Sequence, residues 1–305
     1  MQPFISSNEH SLILPLMQGF VGQKVFYTPT SPEAQGPHSL SPPQIQPFVL
    51  TLISRRSTRR AGLRYLRRGV DSEGNVANCV ETEQLLAVPT PSLTPTSTVM
   101  PPLNQMPPDQ WPWAKVYSFV QTRGSIPIYF QQSPYTLRPK PVLLHSESSN
   151  KAAFARHFNS LESRYNGEVF SINLVERGSA EHIVGDKYQR YVEELNRERD
   201  KISTSPRRVG FNWFDFHNVC KGMKFEKVLL LLGEIEQTLD KFGWAEVKEG
   251  GSSEEGDFRQ KVNSVQKGIV RTNCMDCLDR TNVVQSACGR RGREFRPGFV
   301  CILTP

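Results

Sequence analysis

Apolar residues recurring every three or four positions predict three helices. Between Ser148 and Tyr165 the stripe is Ala152, Phe154, Ala155, Phe158 and Leu161. Between Asp186 and Arg199 it is Tyr188, Tyr191, Val192 and Leu195. Between Phe225 and Phe242 it is Val228, Leu229, Leu232, Ile235 and Leu239, and this helix reads as core. Short β-branched, aromatic or alternating runs predict strands at 48–54, 116–120, 126–130, 168–175, 209–217 and 269–272. Another is expected over 75–86, with Val76, Asn78, Val80 and Thr82 on one face. Strands come first, then helices alternate with strands. That order predicts a mixed sheet flanked by helices, of α/β or α+β type.

Two regions lack such patterning. Residues 1–47 are rich in Pro and Ser and read as an extended linker, with Ser11–Val21 as a segment able to dock. Residues 88–113 hold eight prolines. They cannot donate enough backbone hydrogen bonds to join a sheet, so they read as a flexible insertion. Gly250–Asp257 is a polar loop. The packed domain is therefore expected over 48–286, with a divergent tail at 287–305.

Composition adds few constraints. Apolar residues make up 37% of the 305, and mean hydropathy is −0.44. The longest strictly apolar run is Val228–Leu232, far short of the ~20 residues that cross a bilayer. No basic and then apolar leader opens the chain. The chain therefore reads as cytosolic or peripheral. Six cysteines at this length make no disulfide framework, so thiols stay available for chemistry.

Charge is more informative. Net charge is +7, and seven arginines lie between Arg55 and Arg68 with no acid among them. The other 30 bases match the 30 acids, so the basic character is one patch. It suits an anionic partner: phosphate, acidic lipid or nucleic acid. Nucleic acid is disfavoured, because only Tyr65 interleaves with the arginines.

The candidate chemistry lies in Arg271-Thr-Asn-Cys274-Met275-Asp276-Cys277-Leu278-Asp279-Arg280-Thr281-Asn282, between the last strand and a helix. Cys274 precedes Arg280 by six residues. A loop of that length can turn its N–H groups inward on a phosphate, with Met275, Cys277 and Leu278 supplying backbone. The helix adds its positive N-terminus, and Arg280 can grip two phosphate oxygens. The same field favours the Cys274 thiolate, which can attack phosphorus and form a phosphocysteine. Thr281 could hydrogen-bond the sulfur. Asp276 and Asp279 compete for the role of leaving-group acid, with Asp279 slightly favoured. Asp215 and His217, two apart on a strand, share a face and could support the loop or a water. His157 reads as helix packing.

Cys274 and Cys277 also form a Cys-x2-Cys pair. For zinc, no second such pair or His pair stands at ligand spacing. A redox dithiol would more usually precede a more apolar helix. No metal or cofactor is expected.

The signature resembles that of the Sac family of phosphoinositide phosphatases, and closely its Sac1-like members. Further blocks agree: Leu52–Ser57, Arg60-Ala61-Gly62, Arg68-Gly69-Val70-Asp71, Asn78, Val80–Gln84, Ser118–Pro127 and Phe214–His217. The resemblance spans roughly 10–286, outside the proline-rich insertion. It implies a cysteine-phosphatase-like domain acting on phosphatidylinositol 4-phosphate, with the 3-phosphate as a second substrate. It also favours Arg55, Arg56 and Arg60 near the site, as substrate-binding residues or as structure beside it. Arg123 is a further candidate substrate-binding residue, and with Lys140 it could add positive potential. The full-length family implies the cytosolic face of endoplasmic reticulum or Golgi membranes. The family pattern includes a separate N-terminal domain and helical sequence after the signature. Here it stops near Ser286, where Gly289, Gly292, Pro297 and Gly298 are expected to end the helix after about two turns, so the chain reads as a fragment incomplete at its C-terminus. A protein tyrosine or dual-specificity phosphatase, or a non-catalytic lipid-binding module, remain the alternatives.

Overall fold

A computed structural model of the chain describes residues 19–29, 45–63, 66–89, 113–136, 139–204, 207–248, 261–276 and 278–294. β1 (Gly19–Pro29), β2 (Ile45–Arg56), β3 (Val80–Pro89) and β4 (Trp113–Arg123) form an antiparallel meander. β4 then forks. Its first half, Lys115–Ser118, pairs antiparallel with β9 (Ala245–Lys248), which pairs with β10 (Lys261–Ser264). Its second half, Gln121–Arg123, pairs in parallel with β11 (Gly268–Asn273). Gln266 closes the fork, its amide donating to the Val120 carbonyl and its oxygen accepting from the Val120 N–H, each at 2.8 Å. β11 continues in parallel to β7 (Glu168–Asn173), and β7 to β8 (Gly210–Trp213). Among the described residues the sheet thus has nine strands, in the main order β1-β2-β3-β4-β11-β7-β8. The expected α/β class, a mixed sheet between helices, is what forms.

Helices cover both faces because β11 is apolar on both. Ile269 joins one buried cluster with Phe154 and Phe158 of α1 (Glu147–Tyr165) and Tyr188 and Val192 of α2 (His182–Ile202). Val270, next along the strand, joins another with Leu232 and Ile235 of α4 (Val228–Phe242) and Val284 and Cys288 of α5 (Asp279–Glu294). Alternation along one strand thus feeds two cores. β4, β11, β7 and β8 end on one edge, and the segments after them meet there, where open parallel sheets usually place their ligands.

Several expectations are corrected. Residues 19–29 are a strand rather than linker. The strand expected over 75–86 begins only at Val80, because Asn78 sits at φ 55° and turns the chain. The strand expected at 126–130 shrinks to β5 (Phe130–Gln131), paired with β6 (Val142–Leu143). Ile126 and Ile128 are fully buried outside any ladder. The strand expected over 209–217 stops at Trp213, and a single helical turn, α3 (Phe216–Val219), follows. In α4 the buried stripe is Val228, Leu231, Leu232, Ile235, Leu239 and Phe242, and Leu229 faces outward. α5 runs through Gly289 and Gly292 to Glu294 instead of ending after two turns. Tertiary contacts hold it: Gln121 donates to Gln285 O at 3.0 Å and Gln84 to Gly289 O at 3.3 Å. Of the insertion expected over 88–113, Val88 and Pro89 end β3 and Trp113 opens β4, and the first eight residues of the expected tail belong to α5. Residues 90–112, the polar loop at 250–257 and the tail beyond Glu294 lie outside the described residues. No helix among the described residues is long and apolar enough to cross a membrane.

Candidate active site

β11 ends at Asn273, and α5 starts at Asp279. The intervening loop is tied down from both sides. Leu174 N–H, just past β7, donates to Asn273 O at 2.8 Å. From the other side comes Arg68. Its guanidinium donates to Met275 O at 2.7 Å and to Asp276 Oδ1 at 2.6 Å, and Arg68 is only 6% exposed.

Arg68 is itself braced. Arg60 donates to Arg68 O at 2.7 Å and to Gly69 O at 3.1 Å, and burial lowers the Arg60 pKa. Gly69 has φ 65°, and a Cβ there would run into the Ile128 carbonyl. The Arg68-Gly69 pair thus presses the basic segment against the loop, as only glycine permits.

Arg280 reaches the other way, toward the segment between β7 and α2. It donates to Leu174 O and to Glu181 Oε2, both at 3.3 Å. Burial works against its charge, but Cys274, Glu181 and Asp276 outweigh burial, and its pKa is raised. Cys274 is 2% exposed and belongs to the α4–α5 core cluster.

Beside the loop lies a cavity of about 850 Å³. Arg68, Met275 and Asp276 line it with His217, Glu181 and Lys140. Lys140 thus stands at the cavity.

The remaining candidates divide. Thr281 is fully buried, and its hydroxyl donates to Leu278 O at 2.7 Å, within the first turn of α5 rather than to the Cys274 sulfur. Asp279 is exposed in that turn. Cys277 lies outside the described residues. Arg123 pairs with Asn282 on α5. Asp215 and His217 are not a strand pair: Asp215 caps α3, accepting from Asn218 N–H at 3.1 Å and from Arg177 N–H at 3.1 Å. His217 is exposed and lines the cavity.

Arg55 and Arg56 lie at the same sheet edge as the loop but three strands from Thr272, or ~14 Å at ~4.8 Å per strand. Arg55 is engaged with Glu81 at 3.1 Å and Glu83 at 2.5 Å, and Arg56 with Gly62 O at 3.0 Å. They tie the sheet and the basic segment. Among the described residues no group of His, Cys, Asp and Glu could hold a metal.

Sequence reasoning missed Arg68 and Glu181 as site residues. Arg68 was visible as Arg-Gly in a basic run, but nothing local marks which arginine turns inward. Glu181 carries no motif and is found only by its contact. Because Arg68 fixes both a carbonyl and a carboxylate of the loop, Arg68→Ala is expected to slow turnover about a hundredfold through misplacement alone. Arg68→Lys should fall between, keeping charge but not the fork. Steady-state kinetics check this, and an unchanged kcat would refute the clamp.

Comparison with known proteins gives the family. The SacI homology domain family model matches residues 1–221. The chain is 40% identical over 288 residues to human phosphatidylinositide phosphatase SAC2, covering 91% of this chain and 22% of that protein. It is 37% identical over 249 residues to phosphatidylinositol-3-phosphatase SAC1 of Saccharomyces cerevisiae, covering 79% and 33%, and 35% over 247 residues to its Drosophila melanogaster counterpart, covering 81% and 34%. The chain thus spans 22–34% of the length of these relatives. With that family model matched over most of its length, the chain belongs to the SacI homology domain family.

Proposed function

We propose that this chain carries the catalytic loop of a phosphoinositide phosphatase that hydrolyses the phosphomonoester of phosphatidylinositol 4-phosphate, and of the 3-phosphate, without a metal. The observation that carries the reading is the Cys274–Arg280 loop between a buried parallel strand and a helix N-terminus, beside a polar cavity. The relatives' names add the substrate class. For the full-length protein the same reading implies endoplasmic reticulum or Golgi membranes.

The Cys274 thiolate attacks phosphorus, and the bond to the inositol oxygen breaks. Asp279 gives that oxygen its proton. Water then attacks the phosphocysteine, giving a proton back to the Asp279 carboxylate. The P–S bond breaks, releasing phosphate and restoring the thiolate. Arg280 and the loop N–H groups neutralise the developing charge. Asp276, fixed by Arg68, holds the loop in shape. Since Cys274 is 2% exposed, attack requires the loop to bring its sulfur to the cavity floor.

The test is phosphate release from phosphatidylinositol 4-phosphate, phosphatidylinositol 3-phosphate and a phosphotyrosine peptide, with Cys274→Ser as control. Release from the peptide alone would refute the lipid assignment. The buried sulfur also suits a second reading, a lipid-binding module without turnover. Lipid binding with no release, unchanged by Cys274→Ser, would establish it.

Glu181 and a bound phosphate would compete for Arg280. A part-exposed ion pair contributes about 0.2–1 kcal/mol. Glu181→Gln is therefore expected to tighten inhibition by inorganic phosphate up to about fivefold, read from Ki.

A further inference from the structure

One exposed apolar stretch near the site is not explained by catalysis. After β8 the chain passes through α3, turns at Gly222 (φ 74°) and Met223 (φ 58°), and enters α4. Met223 is 79% exposed, Phe225 45%, Leu229 67% and Leu230 61%. Exposed lysines alternate with them at 221, 224 and 227, with Glu226 as the one acid between Lys221 and Leu230.

This segment stands at the site's edge of the sheet. β8 runs parallel to β7 and β11, and His217 lines the cavity, four residues before Lys221. α4 then runs away from that edge, its last residue Phe242 packing against Gly268 at the start of β11. Tyr135, 93% exposed, stands in the other segment at the cavity rim, beside Thr136 and Pro134.

We propose that Lys221–Leu230 is a membrane-docking surface, which sets Met223, Leu229 and Leu230 among the headgroups and upper acyl chains of an anionic bilayer. The proposal rests on the reading of the site as a phosphoinositide phosphatase, since a lipid substrate requires the cavity mouth to face a membrane. Charge decides between a bilayer and a covering protein segment. Further polypeptide packed over the leucines would also have to take three ammonium groups out of water, which is costly. At a bilayer the lysine stems lie along the apolar boundary while their heads stay wet beside lipid phosphates.

The experiment uses the whole chain and vesicles of phosphatidylcholine with and without phosphatidylserine, read by co-sedimentation. Binding to the anionic vesicles is expected. It should fall roughly tenfold or more in Leu229→Glu/Leu230→Glu, which removes two apolar contacts and adds repulsion. Lys221→Glu/Lys224→Glu should lose it likewise. Phosphate release from vesicle-borne substrate should fall in step, while release from a soluble short-chain phosphoinositide stays within about twofold. Wild-type protein that ignores anionic vesicles, variants that bind as well as wild type, or equal losses on both substrates would overturn the docking surface. The last result would mark the leucines as cover for other polypeptide. Vesicle binding lost in the variants, with no release from any substrate by wild type, would leave docking standing and remove the phosphatase reading.

Discussion

Arg280→Ala is expected to lower kcat/KM by about 10³–10⁵-fold, the range found where an arginine stabilises transferring phosphoryl oxygens. The guanidinium is the cation closest in sequence to the loop's far end, and its charge is supported by Cys274, Glu181 and Asp276. Two effects separate. The ground state loses one charge-assisted pair, and the transition state loses the fork that matches two equatorial oxygens. The loss should therefore fall mainly on kcat. Arg280→Lys should recover part of the binding but little of the rate, because an ammonium cannot span both oxygens. Cys274→Ser should bind substrate and release no measurable phosphate. Kinetics on a soluble short-chain phosphatidylinositol 4-phosphate decide this without any membrane contribution. A loss of tenfold or less in Arg280→Ala would remove Arg280 from the phosphate site.

The loop is legible in sequence because its chemistry is local: a thiol, a fixed gap, an arginine and a helix start lie within eight residues. The core helices are legible because burial on one face writes itself as a 3.6-residue period, and both α1 and α2 appear where that period predicts them. Errors arise where long-range contacts outvote local pattern. Gly289 and Gly292 weaken a helix taken alone, yet α5 persists because Gln84 and Gln121 bond its carbonyls across more than 160 residues. Asp215 and His217 alternate like strand residues, but Asp215 turns to cap α3 and to hold Arg177 N–H. The basic run shows that an anion is near, but not which arginine faces it. Arg68 is selected by its bonds to Met275 O and Asp276 Oδ1, more than 200 residues away, which exist only once the loop after β11 lies against the basic segment.

Arg271→Leu is expected to destabilise the domain by about 3–5 kcal/mol, in the manner of breaking a buried polar cluster. Arg271 is 1% exposed and donates to four neutral acceptors: His157 Nε2 at 2.9 Å, Tyr188 Oη at 3.2 Å, Asn273 Oδ1 at 3.1 Å and Ser125 O at 2.6 Å. Leucine would leave all four behind in a dry interior. At roughly 2–4 °C per kcal/mol for a domain of this size, the melting temperature should drop by about 10 °C. The network also fixes its histidine's form. Because His157 Nε2 accepts from Arg271, the ring proton sits on Nδ1 and is donated to Gly74 O at 2.8 Å. Burial first, then repulsion by Arg271, hold the His157 pKa well below its ordinary value. The unfolded chain therefore takes up a proton at ~6.5 that the folded one refuses. Stability should be fully present above that pH and should fall as pH drops below it. Melting curves between pH 7.5 and 5.5 should show this loss. His157→Gln, able to accept from Arg271 and donate to Gly74 without titrating, should flatten it. A slope unchanged in His157→Gln would assign the acid sensitivity to carboxylates instead. Asn273 immediately precedes Cys274, so partial activity loss in folded Arg271→Leu at low temperature is the accompanying sign that this buried cluster also sets the angle at which the loop leaves the sheet.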